Sequence, residues 1–194
     1  MDLKTFIFIG RSGCGKGTQA GLLKDYLAAQ DQSPIFLVET GDGFRNFIKG
    51  DSHSSQLSKA VMTTGVRQPD FLAVWMWANV LIESFTGVEH LIFDGTPRAI
   101  AEAKALDSAL NFYQRQNVVV IHLNITREEA ERRLLARGRA DDRSPDEIDK
   151  RLDWFDSDVS PAIEFYRNHD KHKFVELDGF KSIEEIHGEL LANL

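Results

Sequence analysis

Four glycines, a lysine and a threonine hydroxyl are crowded into Gly10-Arg11-Ser12-Gly13-Cys14-Gly15-Lys16-Gly17-Thr18-Gln19, directly after the apolar run Phe6-Ile7-Phe8-Ile9. Glycines at this density let a backbone turn sharply and approach a polyphosphate. Lys16 adds a point charge, and a helix starting beyond the loop aims its free N–H groups at the anion. The ligand this implies is a nucleoside triphosphate. Glycine-rich turns also occur where a helix merely packs closely on a sheet, but Lys16 together with the preceding strand favours phosphate binding. Gly17 stands where Ser or Thr usually follows the lysine, and the hydroxyl arrives one residue later at Thr18.

A second concentration of chemistry lies at Arg127, Arg132, Arg133, Arg137, Arg139 and Arg143, six arginines within seventeen residues, followed by Lys150 and Arg151. A solvated helix face would look similar. In a chain of net charge −7, however, such a cluster points to several phosphates being clamped, because the guanidinium fork binds phosphate oxygens in pairs. The lone cysteine, Cys14, excludes an internal disulfide and a Cys-based zinc site; in a tight loop it is read as a small tolerated residue. His53, His90, His122, His169, His172 and His187 are scattered without metal-ligand spacing, so no structural zinc is expected.

These residues need elements to position them. Apolar, β-rich runs at 5–9, 35–38, 90–93, 118–123 and 174–177 alternate with helical patterning, which predicts an α/β fold with a parallel sheet covered by helices on both faces. Helices are expected at about 18–29, 42–49, 55–63, 70–85, 98–115, 126–137, 145–167 and 182–192. The fifty or so residues between the second and third strands exceed one crossover helix, so an inserted helical lid is expected there. The series Phe71, Leu72, Val74, Trp75, Trp77, Ala78, Leu81, Ile82 and Phe85 falls mostly at helical spacing and reads as core.

With 194 residues, 42% of them hydrophobic and 27% charged, the chain is long enough for a single well-buried domain and too balanced for disorder. The acidic net charge disfavours nucleic-acid binding, and no apolar run has membrane-spanning length. The first strand begins within a few residues of Met1, leaving no room for a leader, so a cytoplasmic protein is expected. A monomer is expected too.

Four further segments are collinear with the phosphate loop: Thr40-Gly41-Asp42-Gly43-Phe44-Arg45, Phe93-Asp94-Gly95-Thr96-Pro97-Arg98, Arg133-Leu134-Leu135-Ala136-Arg137-Gly138-Arg139-Ala140-Asp141-Asp142, and Lys150-Arg151-Leu152. With that loop, the chain resembles the adenylate kinases of the nucleoside monophosphate kinase family over nearly its whole length. The resemblance implies a P-loop NTPase-type, three-layer α/β/α fold with a five-stranded parallel sheet. It implies a core of 1–39, 90–137 and 145–194, a helical monophosphate-binding insertion at about 40–69, and a very short ATP lid at about 138–144. It also implies Mg2+-dependent, reversible transfer of the ATP γ-phosphoryl group to AMP.

By matched position, Gly13, Cys14, Gly15, Lys16, Gly17 and Thr18 would wrap the ATP phosphates, with Arg133 beside the donor adenine and Arg137 on its phosphates. Thr40, Gly41, Arg45, Gly95 and Arg98 would hold the acceptor monophosphate, with Val66, Arg67, Gln68 and Glu102 around its base. Arg139 and Arg151 would bridge both substrates, making Lys16, Arg98, Arg137, Arg139 and Arg151 the catalytic set. Asp42 and Asp94 would orient Mg2+ through water. Asp141 and Asp142 resemble the acidic pair that holds the donor-side arginines.

Two departures matter. A single residue separates Arg137 from Arg139, so little chain is left to close over ATP. On the acceptor side Glu102 replaces the family's glutamine, and an ionised carboxylate only accepts hydrogen bonds, which suits guanine better than adenine. Gln68 restores the missing donor, or Glu102 turns to solvent or pairs with Arg67; the sequence leaves these open. AMP is the expected acceptor. The alternatives are another nucleoside monophosphate (GMP or a pyrimidine) and, in a different class, a catalytically silent nucleotide-binding regulator.

Overall fold

The computed structural model describes residues 3–139 and 144–194. Five parallel strands, β1 (Thr5–Ile9), β2 (Ile35–Glu39), β3 (His90–Asp94), β4 (Val118–Asn124) and β5 (Lys173–Asp178), form one sheet in the order β2-β3-β1-β4-β5. β1 is central and every one of its residues is buried, which is why its sequence is continuous rather than alternating. Successive side chains on a strand point to opposite faces, and the residues of β1 divide accordingly. Phe6 and Phe8 join a core layer with Leu23, Leu27, Leu134, Ile186 and Leu190, while Ile7 and Ile9 join Trp77, Leu81, Leu106, Phe155 and Tyr166 on the other side.

The first layer is built by α1 (Lys16–Gln30), α6 (Arg127–Arg137), α7 (Pro145–Trp154) and α9 (Ile183–Ala192). The opposite layer is built by α4 (Asp70–Ser84), α5 (Ile100–Phe112) and α8 (Ser160–Arg167). Between β2 and β3 the chain forms α2 (Thr40–Phe47) and α3 (His53–Thr63), which fall within the span 40–69 expected for the insertion, and then α4. Of these, α4 belongs to the core through Trp77 and Leu81. Its apolar series does not all pack inward: Phe71 and Ile82 are each 72% exposed, and Trp75 lies on the outer face against Phe47, 5.4 Å between ring centroids.

Two helices differ from their expected spans for local reasons. The helix expected from 98 begins at Ile100, because Arg98 gives its backbone N–H to the Glu102 carboxylate and Ala99 is extended. The single helix expected over 145–167 is interrupted by a π-helical turn, Phe155–Val159, in which the Ser160 N–H reaches Phe155 O. Pro161 follows at the start of α8 and has no N–H to donate, so the α-helical ladder cannot run through unbroken. The donor-side segment 138–144, with Asp141, Asp142 and Arg143, lies largely outside the described residues.

Candidate active site

A cavity of about 660 Å³ opens where the C-terminal ends of β1, β2 and β3 meet, the edge at which parallel α/β sheets hold ligands. At one end the phosphate loop wraps its floor. Gly13 and Gly15 take φ values of +87° and +101°, a region costly to a side chain, and Gly15 leads straight into α1. The loop therefore directs the first N–H groups of α1 into the cavity. Lys16 Nζ bonds the carbonyls of Gly10 and Arg11 at 2.8 and 2.9 Å, with Cys14 Sγ at 3.6 Å, so its charge is anchored on the loop it serves. Cys14 is buried beneath; Gly17 and Thr18 face outward, and the Asp94 carboxylate stands so near Gly17 that an added Cβ would come within 3.1 Å of it.

At the other end are Gly41, Asp42, Phe44 and Arg45 of α2, and Val66, Arg67 and Gln68 before α4. Arg98, Arg133, Arg137, Arg139 and Arg151 line the space between. Burial lowers the pKa of Arg98; Glu102 and Asp94 oppose that, and the positive charges of Arg151 and Arg45 reinforce it. Like charges held this close are what an anion site requires. Arg98 Nε donates to Gly95 O at 2.7 Å, and its guanidinium lies 5.9 Å from the Trp154 ring.

Several of the expected ligands also bond to other parts of the protein. Thr40 Oγ1 donates to Gly95 O at 2.7 Å, tying the start of α2 to the loop after β3. The amide of Gln68 is spent on Ser58, donating to its carbonyl at 2.9 Å and accepting from its hydroxyl at 3.0 Å. Arg67 bonds Asp70 at 2.6 Å and Asp158 at 3.0 Å, and these bonds outweigh burial and hold its pKa above the usual value. Glu102 is only 1% exposed. One of its oxygens takes the Thr96 hydroxyl and the other the Arg98 N–H at 2.6 Å, so it neither turns to solvent nor pairs directly with Arg67. Burial pushes its pKa up against those bonds.

On the donor side Arg133 bonds Glu129 at 2.5 Å and Gly179 O at 2.8 Å. The bonds from Arg132 and Arg133 bring the Glu129 carboxyl down to about 2. Sequence reasoning missed Arg11 and Trp154. Arg11 stacks 4.2 Å from the Phe155 ring and bonds Asp156 at 2.6 Å, while the Trp154 indole donates to Gly65 O at 3.2 Å. Neither stands out in a motif, because each gains its place from a partner far away in the chain.

Hard oxygen donors for Mg2+ are present in Asp94, beside the phosphate loop, and Asp42. Asp42 also accepts from Arg45 Nε at 2.8 Å. Among the described residues no helix is long and apolar enough to cross a membrane.

The family model for adenylate kinase matches residues 8–171. Similar proteins include the adenylate kinase of Parabacteroides distasonis, 35% identical over 188 residues that cover 95% of this chain and 94% of the relative. That of Flavobacterium psychrophilum is 31% identical, covering 93% and 92%. Adenylate kinase 1 of a Nostoc species is 32% identical, covering 97% of each chain. With its loop, its arginines and its five-stranded parallel sheet, this chain belongs to the adenylate kinase family.

Proposed function

We propose that this protein catalyses reversible transfer of the ATP γ-phosphoryl group to AMP, giving two ADP. The observation that carries the reading is one cavity that has the phosphate loop and the α2 arginine at its two ends and is lined by five further arginines, Arg98, Arg133, Arg137, Arg139 and Arg151. An oxygen of the AMP phosphate attacks the γ-phosphorus as the bond to the β,γ-bridging oxygen breaks. That oxygen needs no base at neutral pH, so the protein's work is alignment, charge neutralisation and exclusion of water.

In this reading Gly13 to Thr18 hold the ATP phosphates, and Lys16 exchanges its loop carbonyls for the transferring group. Arg133 and Arg137 serve the donor, Arg45 and Arg98 the acceptor phosphate, and Arg139 and Arg151 the charge that builds between them. Thr40, Gln68 and Glu102 act by holding α2, α3 and Arg98 in place. Mg2+ bound with ATP, its waters oriented by Asp94 and Asp42, supplies charge neutralisation on the phosphates. Residues 40–69 form the acceptor-side lid and 138–144 the short donor-side lid on a single domain, which works as a cytoplasmic monomer.

A coupled assay with ATP plus each of AMP, GMP, CMP and UMP tests the reading. The highest kcat/KM is expected with AMP. Tight nucleotide binding without any diphosphate formed would replace the enzyme by a silent binding protein, and a clear preference for another monophosphate would change the acceptor.

A further inference from the structure

At the end of the sheet away from the nucleotide cavity, three side chains with metal-binding chemistry converge. Asp107 lies on α5; His169 and His172 lie in the connection 168–172, which joins α8 to β5. Both imidazole Nε2 atoms face the same carboxylate oxygen, Asp107 Oδ1, at 2.9 Å from His172 and 3.3 Å from His169. The rings are stacked, 3.9 Å between centroids and 5° between planes. One ligand atom from each of the three residues lies within 4.8 Å of the others. Sequence reading set these histidines aside as lacking metal-ligand spacing; the fold brings two of them to one carboxylate.

We propose that Asp107, His169 and His172 form a binding site for a divalent ion of the zinc class, with water as the fourth ligand, clamping α5 to the turn that leads into β5.

The spacing supports this. A tetrahedral ion with ligands at about 2.0–2.1 Å separates neighbouring ligand atoms by about 3.3 Å. The two nitrogen-to-oxygen separations are 2.9 and 3.3 Å, close to that spacing, and the stacked rings must turn apart to bring both nitrogens onto one ion. Two imidazoles and one carboxylate suit a borderline cation such as Zn2+, whereas Mg2+ and Ca2+ call for oxygen donors throughout.

Binding requires each neutral imidazole to carry its hydrogen on Nδ1 instead of Nε2, with no net release of protons. His172 Nδ1 is buried and, among the described residues, has no hydrogen-bond partner. His169 Nδ1 accepts from the Lys171 N–H at 3.2 Å and stands 4.0 Å from the Asp170 carboxylate. Once protonated, it would turn from the first to the second, giving the outer-shell carboxylate that metal-bound histidines commonly use. Asp107 and His169 retain partial solvent access, which provides the entry path and the fourth ligand.

The test uses the full chain, stripped with EDTA, desalted and kept free of nucleotide. Expected results are one equivalent of Zn2+ retained on dialysis, a Tm that rises with Zn2+ and not with equal Mg2+, and a tetrahedral visible absorption band with Co2+. Asp107→Asn and His169→Gln, both at partly exposed positions, should abolish the Co2+ band and the Zn2+ effect on Tm while leaving phosphoryl transfer with Mg-ATP unchanged. His172→Gln should do the same, and if it fails to fold, the Co2+ spectrum of the unaltered chain still decides. Absence of the band and the Tm rise would overturn the proposal. So would Zn2+ binding of equal strength in Asp107→Asn and His169→Gln.

Discussion

Asp158, in the π-helical turn, accepts a 3.0 Å bond from Nε of Arg67, which lies ninety-one positions earlier on the acceptor-side segment. Two residues before it, Asp156 takes Arg11 of the phosphate loop at 2.6 Å. A five-residue turn therefore braces both ends of the cavity. Asp158→Ala should leave Asp70 as the one carboxylate holding Arg67 and raise the KM for AMP several-fold, with the KM for ATP nearly unchanged. Steady-state kinetics with each nucleotide varied in turn checks this, and an effect confined to ATP would contradict it.

Lys16→Ala should lower kcat on the order of 10²-fold or more while weakening nucleotide binding far less, because its charge is needed most where the transferring group is most electron-rich. Single-turnover kinetics alongside equilibrium binding separates the two effects. Near-normal turnover would remove Lys16 from the mechanism.

Arg45→Lys and Arg98→Lys should raise the KM for AMP with little change in ATP affinity, since an ammonium cannot reproduce the planar fork. If ATP affinity fell and the AMP KM held, the two nucleotide sites would be reversed.

Glu102 joins stability to specificity through the backbone of Arg98. Its carboxyl pKa is raised, so between the unfolded value and the folded one the native state binds more protons, and stability falls as pH rises through that window. Glu102→Gln should remove that pH dependence, because its amide oxygen can take the Arg98 N–H and its amide nitrogen can face Thr96. The ratio of AMP to GMP use should move by no more than about fivefold, the worth of one net hydrogen bond of about 1 kcal/mol. A much larger shift would mean that Glu102 reads the base. Glu102→Ala, which orphans the Arg98 N–H, should cost about 1–3 kcal/mol of stability and raise the KM for AMP. Urea unfolding across pH and kinetics with both acceptors provide the readings.

Glu129 acts in the opposite direction. Its carboxyl is held at about 2 by Arg132 and Arg133, so its contribution to stability is complete above the ordinary carboxylate range and disappears as pH falls toward 2. Glu129→Gln should be the less stable protein at neutral pH, with the difference closing in acid. It should also raise the KM for ATP modestly, because a neutral amide holds Arg133 less firmly than the carboxylate does.

The inner strands were legible because a parallel strand buried on both faces requires a continuous apolar run, and β1 and β3 begin where those runs begin, with β3 extending one residue further. The phosphate loop was legible for a related reason: its chemistry is local, written in adjacent residues. What escaped depends on pairs far apart in the chain. Nothing near Gln68 announces that its amide will be taken by Ser58, and nothing near Arg11 foretells a partner 145 positions away. The interrupted helix follows the same rule, since apolar spacing across Phe155 and Val159 reads as an unbroken stripe and only the hydrogen-bond ladder around Pro161 shows the extra residue.

That extra residue sets the phase of everything after it. Each residue advances a regular α-helix by about 100°, and the wide turn absorbs that advance, so winding Phe155–Val159 into regular helix with no residue removed would rotate α8 by about that amount about its axis. Ile163 and Tyr166, both buried in the second core layer, would swing off the sheet. His169 and His172 would leave Asp107 on the same rotation. The turn thus works as a vernier between two halves of one helix, setting the carboxylates at its start against the nucleotide cavity and the aromatic face at its end against the core.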